Sequence, residues 1–306
     1  MDSRASALMT AQGGVLGSRQ LTRLGIPPDE VSRWVVGGDL VRVRRGAFIG
    51  AAAWSAADRD ERYRLTVAAA MRSRGVDEMA SHHSALALHR LPLWHVDRDL
   101  VVLAADVQET TTGGGVRVMP LRALVDRVEV EGLAVMAVAD AVVAVASVSV
   151  EAGVVAGDAA VHDGRCTEAD LAEAASRLRR GLRGKARLRA ALAHIDGASE
   201  SPGESRTRLV LTALGLPVAS QVVVCDQRGS FVARVDFLVA GRVVIEFDGA
   251  VKYKGADGAE VVVAEKRRED RLRELGYEVV RLTWDDLSHP ERVLARVRAV
   301  LLRRAA

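Results

Sequence analysis

Cysteine is scarce: Cys166 and Cys225 are the only two in 306 residues, far apart and without C-x-x-C spacing. That argues against a disulfide framework or a zinc ribbon, and a reducing cytoplasm fits best. Aromatic residues make up 4%, so Ala and Val carry most of the 49% apolar content. Long uncharged apolar runs are missing. The most apolar stretch, Leu133 to Ala156, is interrupted by Asp140 and Glu151 and falls short of a membrane span. Met1 to Ala11 has no apolar region behind a basic start, so no secretory signal is expected. An excess of one charge is lacking too: 43 Lys and Arg against 40 Asp and Glu leave +3. Any affinity for nucleic acid must therefore come from local basic patches. The remaining composition is that of a soluble globular protein, and the length predicts two domains or slightly more.

Lysine is the other rarity. Lys185, Lys252, Lys254 and Lys266 are the only four, and the other 39 basic residues are arginine. Arginine cannot replace a compact charge with an adjustable pKa. Three of the four lysines fall between positions 252 and 266, which marks that segment as a candidate site.

Three regions follow along the chain. In residues 1–53, Ser18 reads as the cap of a helix ended by Gly25, and Asp29 to Val36 as a second helix after Pro27-Pro28. Leu40 to Ile49 alternates around Gly46 as a hairpin does. Helix, turn, helix and basic hairpin is the order of a winged helix-turn-helix, in which the second helix reads the major groove and the hairpin touches phosphates. Arg33 would lie on the reading helix, with Arg42, Arg44 and Arg45 on the wing. Residues 54–198 read as a mixed α/β region with little chemistry. His82, His83 and His89 lack the i, i+4 spacing of a helical metal site and are expected to pack or cap.

The region 199–306 reads as α-β-β-β-α-β-α. Ser201-Pro202-Gly203-Glu204 opens a helix with Ser at the N-cap, Pro at the first position and Glu at the third. Three β-rich runs follow as an antiparallel meander, then a charged helix from about Ala259 to Leu275, a strand, and a final helix capped by Asp285 or Asp286. A hairpin turning about Gly241 would put Asp236 directly opposite Glu246. Like charges across a strand pair are destabilising, so this pair calls for a neutralising partner. Mg²⁺, with its preference for carboxylate and phosphate oxygens, is the natural candidate. Such a metal polarises a phosphoryl oxygen and acidifies bound water, while a nearby lysine stabilises charge. For Glu204, helix capping alone is a sufficient explanation.

Asp236-Phe237, the run Val244-Ile245-Glu246-Phe247-Asp248-Gly249, Glu265 to Arg271 and Gly276 to Arg281 resemble the very-short-patch-repair-like branch of the PD-(D/E)XK nuclease superfamily. The resemblance covers the last third of the chain. It implies a restriction-endonuclease-like αβββαβ core that cuts nucleic acid with Mg²⁺ or Mn²⁺. It matches Asp236 and Glu246 to the metal-binding acids and Glu204 to the acid on the first helix. Asp248 stands where that superfamily has a lysine. It is an extra candidate ligand, with the lysine role passing to Lys254, Lys252 or Lys266. Ala11 to Val15, Leu40 to Gly46, and Ser81-His82 with Leu88 to Pro92 resemble the winged-helix region of abortive-infection type IV antitoxins and the segment that follows it. That implies autoregulation or defence as a context, beside DNA repair.

The expectation is thus a mixed α/β cytoplasmic endonuclease acting on duplex DNA. Asp236, Glu246 and Asp248 are the metal ligands, and Glu204, Lys254 and Lys266 assist. Arg267, Arg268 and Arg271 on the charged helix would grip the backbone or pair with neighbouring acids such as Glu265 and Glu274. No membrane is involved, and a protein partner and the oligomeric state are left open. The alternative is a DNA-binding regulator or antitoxin whose nuclease fold is degenerate.

Overall fold

In the computed structural model, residues 1–75, 77–121, 124–177, 184–249 and 258–303 are described. The chain is mixed α/β and divides into two compact units, Met1–Ile195 and Asp196–Ala306.

The first unit starts with α1 (Ser3–Ala11), capped by Asp2, whose carboxylate accepts the Arg4 and Ala5 N–H groups. β1 (Val15–Gly17), α2 (Ser18–Arg23), α3 (Pro28–Val36), β2 (Leu40–Arg44) and β3 (Ala47–Gly50) follow. The strands form an antiparallel sheet in the order β1-β3-β2, and Leu16, Leu21, Ile26, Val31, Trp34, Leu40 and Phe48 make one core with the helices. α2 starts at Ser18, so Gly17 occupies the capping position, and its N–H is taken by Gln20 Oε1 at 3.1 Å.

α4 (Ala51–Ala56), α5 (Arg59–Ser73), β4 (Met79–Ala80), α6 (His82–Leu88), β5 (Val101–Ala105), β6 (Thr111–Gly113), β7 (Val116–Pro120), β8 (Arg127–Val130) and β9 (Leu133–Met136) come next. α7 (Val138–Val148), α8 (Val150–His162), α9 (Glu168–Ser176) and α10 (Lys185–Leu192) complete the unit. The six strands pair in the order β6-β7-β5-β4-β9-β8, with parallel and antiparallel neighbours.

The first fifty residues are continuous with this unit for a physical reason. α5 is buried along its length from Tyr63 to Met71, with the Arg64 guanidinium paired to Glu61 and Glu131. At Gly17 the chain runs so close to it that a Cβ would lie 2.0 Å from the Arg72 carbonyl oxygen. Only glycine permits that approach. Arg44 adds a second tie by donating to the Asp99 carbonyl at 2.6 Å.

The second unit contains α11 (Pro202–Ala213), β10 (Val218–Cys225), β11 (Phe231–Val239), β12 (Val243–Phe247), α12 (Gly258–Glu274), β13 (Glu278–Leu282), α13 (Trp284–Leu287) and α14 (Pro290–Leu302). The sheet order is β10-β11-β12-β13; the first three strands are antiparallel, and β13 returns parallel to β12 after the crossover helix α12. Phe237, Val239, Val243, Ile245, Val280 and Leu282 pack with residues of α11, α13 and α14, while Val235 and Val244 pack with Leu272 of α12. The β11–β12 turn has Ala240 at φ 51° and Gly241 at φ 66°, the two left-handed positions of a type I′ hairpin turn. At the end of β13 the helix cap is Thr283, reciprocated by Asp286, and the final helix begins afresh at Pro290.

Candidate functional site

The hairpin register brings the two predicted acids opposite each other. Phe237 pairs with Ile245, Leu238 with Val244 and Val239 with Val243, so Asp236 and Glu246 occupy the next facing positions. There the carboxylate replaces the ladder: Asp236 Oδ2 accepts the Phe247 N–H at 2.9 Å. Burial raises the Asp236 carboxyl to about 6; the Phe247 N–H opposes this, Glu204 and Glu246 add to it, and Arg268 opposes it. Asp236 forms no ion pair among the described residues.

Glu204 comes from the first turn of α11. Its N–H donates to Ser201 Oγ at 3.2 Å, and its Oε1 accepts the Ser201 hydroxyl at 2.7 Å. Its Oε2 takes the Glu200 N–H at 2.9 Å and Gln221 Nε2 at 2.8 Å. Ser201 therefore caps the helix as expected, and the negative charge of Glu204 also acts to raise Asp236. Gln221 was not anticipated from sequence. Its neighbours Ser220 and Val222 pair with Phe237 and Val235, which puts Gln221 across from Asp236. A lone polar side chain between Ser220 and three valines, once aligned with β11, is the signal that points to it.

Glu246 has arginine partners. Its Oε1 receives Arg268 Nη2 at 2.5 Å, and Arg281 Nε stands 3.7 Å from its Oε2. Arg281 lies beside Glu246 on the parallel strand and also pairs with Glu265 and Glu269. The neutralising charge expected from a metal is thus supplied at Glu246 by two guanidiniums. Arg268 donates also to the Arg234 carbonyl. Lys266 is exposed, and two residues along a helix is about 200°, which turns it away from the Arg268 face. Asp248 is exposed just beyond β12, with its N–H on the Leu282 carbonyl. Lys252 and Lys254 lie outside the described residues. Arg271 pairs with Asp226 at 3.2 Å, and Arg267 is exposed.

The donor set of Asp236 and Glu204 is hard oxygen, and a partly buried carboxylate, raised chiefly by burial and without an ion pair among the described residues, suits a divalent cation. As they stand, no three His, Cys, Asp or Glu side chains among the described residues converge to ligating spacing.

In the first unit, Arg33 on α3 is exposed, as are Arg42 on β2 and Arg45 at the hairpin tip. Arg44 is turned inward on the Asp99 and Val43 carbonyls, so its fork is committed to the protein. The histidines make backbone contacts: His83 Nε2 lies 3.0 Å from the Asp97 carbonyl and 3.1 Å from that of Leu100, and His89 Nε2 is 2.8 Å from that of Met136.

No protein-family model matches the chain. Two uncharacterized proteins of Mycobacterium tuberculosis, MT2308 and Rv2248, are each 33% identical to it over 142 residues, 46% of this chain. The chain spans about half the length of these relatives, 51% of each. Among the described residues no helix is long and apolar enough to cross a membrane.

Proposed function

We propose that the protein is a metal-dependent DNA endonuclease that hydrolyses phosphodiester bonds, with its hydrolytic residues in the second unit and its DNA-reading elements in the first. The observation that carries this reading is Asp236: raised to about 6, without an ion pair among the described residues, and faced by Glu204 and Glu246. Such an arrangement costs stability and clusters at functional sites. Asp236 and Glu204 would hold Mg²⁺ or Mn²⁺, with Glu246 or Asp248 completing the set. When bound, the cation supplies Lewis-acid polarisation and an acidified water. The chain's own residues position and balance charge. The Phe247 N–H fixes Asp236, Gln221 fixes Glu204, and Arg268 brings a permanent, forked positive charge suited to phosphoryl oxygens. In the first unit, α3 with Arg33 and the hairpin with Arg42 and Arg45 would meet duplex DNA as a winged helix does. The resemblance of the quoted motifs to PD-(D/E)XK nucleases supports the same reading.

The test is plasmid and duplex cleavage with Mg²⁺, Mn²⁺ or chelator. Cutting should need the metal and disappear in Asp236→Ala, while DNA binding stays largely intact. Cutting by Asp236→Ala at the wild-type rate overturns this site. One observation favours a second reading, a DNA-binding regulator of antitoxin type: the guanidiniums of Arg268 and Arg281 already neutralise Glu246. Absence of cutting with metal-independent binding to one specific duplex selects that reading.

A further inference from the structure

A cleft of about 460 Å³ in the first unit is lined by β2, by residues between Trp54 and Thr66, and by residues 96–99. Its arginines fall into two groups. Arg44 and Arg98 are committed: Arg44 to the Asp99 carbonyl at 2.6 Å, Arg98 to the Asp60 carboxylate at 2.6 Å and the Leu93 carbonyl at 2.9 Å. Arg42, Arg59 and Arg62 are exposed, and none of the three forms an ion pair among the described residues. Two of them lie against aromatic rings. The Arg62 guanidinium is 5.1 Å from the Trp54 ring centre with its Nε on the Trp54 carbonyl, and that of Arg42 is 5.5 Å from the Phe48 ring centre. A guanidinium held on a ring keeps donor edges free and loses less side-chain freedom when it binds an anion. The opposing charges in the cleft are Asp97, whose Oδ1 takes the Asp99 N–H at 3.0 Å, and Asp99 itself.

We propose that this cleft receives the phosphodiester backbone of duplex DNA, with Arg42, Arg59 and Arg62 each contacting a phosphate. The nucleic-acid surface then extends from the β2–β3 hairpin onto the first turn of α5. Three exposed forks along one cleft, none in an ion pair among the described residues, match a chain of repeated single negative charges. The cleft edge is β2 itself, the strand that leads to Arg45. This proposal rests on the reading of the protein as DNA-binding.

The experiment measures duplex affinity by fluorescence anisotropy across a salt series. It compares the wild type, Arg42→Gln/Arg59→Gln/Arg62→Gln, the same three positions changed to Lys, and Arg33→Gln/Arg45→Gln. Each phosphate contact contributes about 0.9 to the slope of log affinity against log salt, so the triple Gln variant should lose two to three units of slope. The triple Lys variant should keep it, because a point charge still neutralises a phosphate. If the triple Gln variant does not fold, Arg59→Gln alone should lose about one unit of slope. A wild-type slope in the Gln variants, with binding weakened by Arg33→Gln/Arg45→Gln, overturns the cleft and leaves the DNA reading standing. No duplex binding by the wild type removes both. Adenosine monophosphate or inorganic phosphate binding that the triple Gln variant loses, with the DNA slope unchanged, makes this a small-anion site and overturns the proposal.

Discussion

Gln221 sits in the middle of β10 with φ at 50°, a left-handed conformation that a side chain adopts at a cost. Strain of this kind is worth about 1–3 kcal/mol and persists where neighbouring contacts fix it. Here the fixing contact is its 2.8 Å bond to the Glu204 carboxylate. Gln221→Ala should lose that charge-assisted bond and keep the strain, lowering stability by about 2 kcal/mol. Gln221→Gly loses the same bond but relieves the backbone, so it should be about 1 kcal/mol more stable than Gln221→Ala. Urea midpoints decide, and equal midpoints would mean the residue is not strained. At this scale the sequence was readable where one chain segment sufficed. The hairpin turn set Asp236 opposite Glu246 from local spacing alone. Gln221 was hidden because its alignment depends on β10 pairing with β11. Arg268 and Arg281 were hidden because helix rotation and parallel pairing, which spacing does not encode, bring them to Glu246.

α11 enters the site through a contact that inverts an ordinary helix rule. Replacing a helical glycine by alanine usually stabilises, by reducing the freedom of the unfolded chain. At Gly203 a Cβ would lie 1.9 Å from Phe247 Cε1 and 2.2 Å from its Cδ1. The ring cannot yield freely, since it packs edge-on to Trp284 with centres 4.7 Å apart. Gly203→Ala should therefore destabilise by about 1–3 kcal/mol, and Phe247→Leu in the same chain should recover part of that loss. A calorimetric double-mutant cycle with no coupling would show that the two elements do not press on each other. Because the Phe247 N–H holds Asp236 and the next residue after Gly203 is Glu204, this contact sets the spacing of the site. Most elements of this unit were legible in order and type from caps, turns and alternation, but the single final helix expected after β13 is two, a short α13 capped by Thr283 and then α14 from Pro290. Much of the six-stranded sheet of the first unit was not legible: β4 has two residues and β6 is fully exposed, so neither carries a hydrophobic period.

The two compact units contain buried titratable groups whose effects on stability run in opposite directions with pH. In the first unit, burial lowers His82 to about 4, and His83 and His89 are lowered for the same reason. A histidine held neutral by the fold contributes stability that is present above its unfolded value near 6.5 and is lost as pH falls toward 4. For His82 alone this is on the order of 3 kcal/mol. In the second unit, Asp236 is raised to about 6, so its unfavourable contribution is absent below about pH 4 and grows as pH rises through 6, to roughly 2–3 kcal/mol. His82 has φ 49°, and asparagine tolerates that conformation, so His82→Asn removes the titration without demanding a new backbone. Scanning calorimetry of the full chain from pH 4 to pH 8 should then separate the two groups. His82→Asn should flatten the acid-side loss of stability between pH 6.5 and pH 4. Asp236→Asn should match wild type near pH 4 and exceed it increasingly up to pH 7. Adding Mg²⁺ at pH 7 should shrink the advantage of Asp236→Asn, because a cation bound by the wild type stabilises its charged form. An advantage that is the same with and without Mg²⁺ would separate the raised carboxyl, which the fold alone explains, from metal binding, which it does not require.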